Sequence, residues 1–163
     1  VDGAYLQVAG TGIARIMTHS MFWGLGFKNL ITPEFSAGET AFQATLAQHV
    51  VDMVEGGMLA ESFNRDTKPL FLQYGLDDTV ATNAATFSLA KIAGLTLNPP
   101  VLADLSGIPV NDAYDPLMGL LQVEPVAAQG WLRGLTAHTT FVRPDAYQAY
   151  HQWLDAIAGL TAQ

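Results

Sequence analysis

Three short apolar runs constrain the fold more than any other feature: AYLQV at residues 4–8, LFLQY at 70–74 and GLLQV at Gly119–Val123. Stretches with helical spacing separate them. Short apolar runs bounded by turn residues suit buried strands, and strands alternating with helices point to an α/β fold with a mostly parallel sheet. Three strands are few for 163 residues, and a three-stranded parallel sheet has two edges to cover. The chain is therefore expected to be a portion of a larger sheet, and the expected α/β architecture is incomplete.

The helical stretches carry recognisable punctuation. After the G-x-G at Gly10–Gly12, residues 13–30 crowd Ile16, Met17, Met21, Phe22, Trp23 and Leu25 together and read as one helix. Position 15 holds Arg15 instead of the third glycine of a dinucleotide-binding fingerprint, so the glycines read as a strand-to-helix turn. Ser36 with Glu39 forms a capping box for a helix from Ala37, with Phe42, Leu46, Val50 and Met53 on one face. Gly56-Gly57 is expected to end or kink it before a segment over 58–63. Asn83 reads as the N-cap of a helix over 84–93, and Gly94 as its C′ residue. Residues 96–117, rich in Pro, Gly and Asp, read as an irregular excursion. The last helix starts near Pro144, presents Tyr147, Tyr150, Leu154 and Ile157 to the core, and is expected to end at Gly159.

Composition excludes several function classes. Half the residues are hydrophobic and 13% are charged, which describes a packed globular chain. Seven basic against 15 acidic residues give a net charge of −8, and the basic ones form no stripe, so nucleic-acid binding is not expected. The absence of cysteine excludes disulfides, zinc–thiolate sites and a cysteine nucleophile. No apolar run approaches the roughly 20 residues of a transmembrane helix. The opening VDGAYLQVAG has no basic n-region and does not read as a signal peptide. No cofactor-binding motif is evident.

Chemistry concentrates in two places. Residues 68–95 run from a strand through Gly75 into the adjacent carboxylates Asp77 and Asp78, then into a helix. Open α/β sheets place their sites at the C-terminal ends of strands. The segment after the next strand carries His138, expected at the end of a turn over 134–137. An acid followed by a histidine, each beyond a parallel strand, supplies two of the three groups of nucleophilic hydrolysis, in the order of chains where Ser precedes Asp precedes His. His49 has no acidic partner at a ligand spacing and reads as structural, His19 lacks a motif, and His151 reads as a surface or packing residue of the last helix.

These residues resemble a family. Tyr74-Gly75-Leu76-Asp77-Asp78-Thr79, with Asn83 and the helix behind it, is similar to the acid loop of α/β-hydrolases, in the form found in bacterial extracellular lipases and esterases. Ala137-His138-Thr139-Thr140-Phe141 and the final helix resemble that family's histidine loop. The resemblance covers residues 70–160 well and the first 60 weakly. It implies the C-terminal portion of an α/β-hydrolase domain, with a cap-like helical segment over 13–64, an acid-loop unit over 68–95 and a histidine-loop unit over 119–160. Ungapped, it places the catalytic acid at Asp78 and the base at His138, with Asp77 as the alternative acid. Asp77 stands where the family often has glycine, and Ala81-Thr82 where Val-Pro is usual.

No G-x-S-x-G occurs, and the serines at 20, 36, 62, 88 and 106 lack the flanking glycines. In the family both that motif and the oxyanion loop would precede Val1. The resemblance thus implies a serine-type hydrolase of carboxylic esters or lipids whose nucleophile lies in a missing N-terminal half. The isolated chain is expected to be inactive, and the family points to a secreted or periplasmic setting. Two other readings stand beside it. The Asp77–Asp78 pair suits a Mg²⁺ or Ca²⁺ site, and the aromatic stretch over 21–27 suits the partner surface of a non-catalytic interaction domain.

Overall fold

The computed structural model describes residues 3–31, 34–52, 55–127 and 129–161. Among these, strands β1 (Ala4–Gln7), β2 (Leu70–Gly75) and β3 (Gly119–Val123) form a parallel sheet in the order β1-β2-β3. Phe71 pairs with Tyr5 on one side and with Gly119 on the other. All three strands thus point their C-terminal ends the same way, and the α/β class with flanking helices is observed.

Every residue of β2 and β3 is buried, because helices cover both faces of the sheet. Leu70, Leu72, Tyr74 and Leu120 face helix α5 (Asn83–Ile92), packing with Leu89, Ala90, Ala93 and the following Leu95 and Leu97. Phe71, Leu121 and Val123 face helix α7 (Pro144–Thr161), against Ala146, Ala149 and Trp153. Tyr5 stacks on Phe71 at 5.1 Å between ring centroids and meets Trp153 edge-on at 5.8 Å. Two buried glutamines interrupt this apolar packing with their hydrogen bonds satisfied. Gln73 accepts from the Tyr5 hydroxyl at 2.6 Å and donates to Thr140 at 3.0 Å. Gln122 donates to the Tyr74 hydroxyl and the Ala103 carbonyl and accepts from the amides of Leu102 and Ala103.

The two sheet edges differ. Leu97 bridges Leu120 on one side and Val110 on the other, so the irregular excursion closes the outer edge of β3. Buried Asn98 anchors that excursion by accepting from Asn111 and the Asp115 amide and donating to the Asp115 carbonyl. On β1, the amides of Ala4 and Val8 donate toward β2 at 2.9 and 2.7 Å. Parallel pairing alternates sides, so the main chains of Tyr5 and Gln7 face away from the sheet. No strand lies there among the described residues.

Several helices depart from the sequence reading. The single helix over 13–30 is instead α1 (Ile13–His19), a π-helical turn (Trp23–Phe27) and α2 (Lys28–Ile31). Ser20 is extended at the first break and Gly26 takes φ 156° at the second, a value that L side chains rarely adopt. Helix α3 (Ala37–Val51) has the expected Ser36–Glu39 capping box. Its Phe42, Leu46 and Val50 face outward, however, because α3 packs on α1 and not on the sheet; Met53 lies outside the described residues. The two glycines open α4 (Gly56–Ala60) rather than end or kink α3, and Gly57 sits so close to Thr11 that no Cβ would fit. Buried Glu55 ties these pieces together by accepting from the Ile13 amide and from Gln48.

Helix α7 buries only part of the expected face, with Ile157 packed beside Trp153 as expected. Ala146, Ala149 and Trp153 are buried, whereas Tyr147, Tyr150 and Leu154 are at least 37% exposed. The sheet selects the small alanines because they let α7 approach closely enough for Trp153 to reach Tyr5. The helix also runs past Gly159 to Thr161. Trp153→Ala is expected to cost about 3–5 kcal/mol, and Leu154→Ala less than about 1 kcal/mol, in urea unfolding. Equal losses would contradict this face assignment.

Burial pushes the Tyr74 and Tyr114 hydroxyls up to about 12 from the ordinary 10.0, and Tyr5 higher still. Between pH 10 and 12 the unfolded chain has released protons that the folded chain retains. Stability is therefore expected to fall as pH rises through that window. Alkaline titration followed by phenolate absorbance and circular dichroism should show these phenols ionising together with loss of helix.

Candidate active site

The acid loop begins where β2 ends. Gly75 lies against the Ala137 carbonyl and Thr140, and a Cβ there would collide with both. The chain then turns through Leu76, whose amide donates to the Val123 carbonyl at 3.0 Å, and Asp77, whose backbone is left-handed at φ 63°. Asn83 braces this turn, donating to the Gly75 carbonyl at 2.8 Å and accepting from the Asp78 amide at 3.1 Å. It is therefore not the expected N-cap. Thr82 holds that position without a side-chain cap, since the Asn83 side chain is committed to the loop.

Asp78 is buried, at 5% exposure. Oδ1 accepts from the amides of Val80 and Ala81 at 2.7 and 3.1 Å, and Oδ2 lies 3.0 Å from His138 Nδ1. A carboxylate only accepts, so Nδ1 carries the shared proton and neutral His138 keeps its basic lone pair on Nε2. The His138 side chain is 33% exposed, which leaves the ring open to solvent.

His138 is the C-cap of helix α6 (Trp131–Ala137), where the sequence had suggested a turn over 134–137. The glycine that reads as a turn signal serves a close approach. A Cβ on Gly134 would strike Thr79, whose amide donates to the Gly134 carbonyl at 3.3 Å.

Asp77 and Asp78 diverge. Asp77 is mostly exposed and pairs with Arg133 Nε at 2.6 Å, while Arg133 Nη2 reaches Glu124 at 3.2 Å. Pairing with Asp77 holds the Arg133 guanidinium above its usual pKa. Among the described residues no cluster of three or more His, Asp and Glu side chains has metal-holding geometry. Arg133 was missed by sequence reasoning, because 56 positions separate it from Asp77.

The other histidines stay apart from this pair. His49 Nδ1 contacts the Thr45 carbonyl at 2.8 Å, His19 Nδ1 lies 3.1 Å from the Thr18 hydroxyl, and His151 packs against Tyr147. The segment after α1 touches the acid loop through Met21, whose amide donates to the Thr79 carbonyl at 2.7 Å. Met17 and Trp23, on either side of Met21, line an open cavity of about 270 Å³ between α1 and α3 with Ile13, Ala44, Ala47 and Val51. Among the described residues no serine hydroxyl hydrogen-bonds to His138. No helix among them is long and apolar enough to cross a membrane.

Comparison with protein-family models, with curated proteins and with solved structures finds no match for the chain.

Asp78→Ala would leave two amides and the imidazole N–H without an acceptor. It is expected to cost about 1–3 kcal/mol in urea unfolding and to remove the low-field Nδ1 proton resonance of His138. Persistence of that resonance would show that His138 has another partner.

Proposed function

We propose that this chain supplies the acid and the base of a serine-type carboxylic-ester hydrolase, as the C-terminal portion of an α/β-hydrolase domain. The observation that carries the reading is the 3.0 Å contact between buried Asp78 and His138 Nδ1, with Nε2 left as the base. In the proposed reaction Nε2 takes the proton of a serine hydroxyl as its oxygen attacks the ester carbonyl. His138 then returns that proton to the departing alkoxide, and in the second half-reaction it deprotonates the water that releases the acid. Asp78 holds the imidazole in the required tautomer and stabilises the imidazolium.

The serine is proposed to come from a polypeptide segment outside these 163 residues. The outward main chain of Tyr5 and Gln7 offers that segment a strand position. A parallel strand added there would deliver its C-terminal turn at the edge that carries Asp78 and His138. Residues 13–64 then form a cap-like segment, and the apolar cavity between α1 and α3 favours an ester with an aliphatic acyl chain. A second reading, a non-catalytic interaction domain, is favoured by the exposed Leu25, Leu30, Phe42 and Val50.

The test uses the polypeptide encoded by the full reading frame that contains this chain, assayed on short-chain nitrophenyl esters. Asp78→Asn and His138→Ala are each expected to lower kcat by about 10³–10⁴. The 163-residue chain alone is expected to give no turnover. Wild-type turnover by His138→Ala would refute the assignment, and absence of esterase activity in the intact polypeptide would favour the interaction reading.

A further inference from the structure

The Asp78–His138 contact joins two separately built elements, and its geometry is only as good as their docking. Asp78 belongs to the turn after β2. His138 rides at the end of α6, a helix of seven residues that follows the connection from β3. Two of the contacts between these elements are steric: Gly75 against Ala137, and Gly134 against Thr79. Such contacts limit how close the elements come, and the main-chain hydrogen bond beside them, from the Thr79 amide to the Gly134 carbonyl, is long at 3.3 Å.

The charged contact is shorter. The Arg133 guanidinium reaches Asp77 in the acid loop with Nε at 2.6 Å and Glu124, just beyond β3, with Nη2 at 3.2 Å. One planar fork on α6 thus ties the turn after β2 to the end of β3. Arg133 lies five residues before His138 on the same short helix, and Asp77 immediately precedes Asp78. Asp77 also occupies the left-handed region, where an L residue costs energy unless its surroundings hold it there. We infer that Arg133 is a positioning residue: through Asp77 and Glu124 it sets the register between Asp78 Oδ2 and His138 Nδ1.

Exposed ion pairs contribute little to global stability, and Asp77 is 67% exposed. The strap is therefore expected to act on the register of the two loops and hardly at all on the unfolding midpoint. This separates it from a purely structural role. The inference takes its catalytic meaning from the proposed acid–base pair, but its readout is the Asp78–His138 hydrogen bond itself, which needs no turnover. Loss of esterase activity elsewhere would therefore leave this result standing.

The experiment is nuclear magnetic resonance of the 163-residue chain with labelled histidine. Arg133→Gln should broaden the His138 Nδ1 proton and make its solvent exchange about tenfold faster, equivalent to about 1.4 kcal/mol of local opening. Arg133→Lys should restore part of the effect, since it keeps the charge but loses the fork. High salt should shift the wild type toward the Gln variant and leave that variant unchanged. Asp77→Gly is the control for folding. Glycine adopts the left-handed turn without strain, so it removes only the carboxylate, and it should reproduce the Arg133→Gln spectrum at an unchanged urea midpoint. An unaltered Nδ1 proton in both Arg133→Gln and Asp77→Gly would overturn the inference, as would spectral loss that only tracks global unfolding.

Discussion

A carboxylate taken out of water has to be given donors, and much of the chemistry-bearing end of this molecule is arranged to do that for Asp78. Two donors come from the amides that follow it, and the third is the imidazole of His138, 60 positions away. The local amides are a property of the turn. The imidazole arrives only because α6 comes down onto the acid loop, and that approach needs glycine at both Gly75 and Gly134. One buried charge thus links the end of β2, the helix after β3 and two residues without side chains.

The sheet makes this convergence possible. Its strands run parallel, so the turns after β2 and β3 emerge at the same edge. Helices α5 and α7 cover the two faces, and the buried glutamines add direction to apolar packing that would otherwise have little. Gln73 joins Tyr5 on one strand to Thr140, two residues past His138, so a core hydrogen bond also steadies the segment that bears the base. Packing and site are coupled through that residue.

Residues 13–60 follow a different logic. Ala60 of α4 joins the main core, whereas α1 and α3 are held chiefly by polar ties, Glu55 to the Ile13 amide and Gln48 to the Ala14 amide. The outward Phe42, Leu46 and Val50 fit a layer whose apolar face is turned away from the sheet. Its direct link to the acid loop is the pair of contacts between Met21 and Thr79.

Local sequence dictates the strands, the α/β class, the Ser36 capping box and the order of acid before histidine. These depend on neighbours within a few positions, where apolar runs and capping residues carry the signal. It also placed Asp77, Asp78 and His138 at the ends of elements, and the family resemblance favoured Asp78 over Asp77 as the acid. Tertiary structure brings Asp78 to the ring. Asp78 turns inward because its own following amides and His138 donate to it there, and Asp77 turns outward to Arg133. Tertiary packing also chose Ala146, Ala149 and Trp153 over the larger tyrosines of α7, and turned Asn83 from a helix cap into a loop brace. Each depends on a surface supplied from far along the chain, and helical periodicity holds no information about that surface's shape or distance.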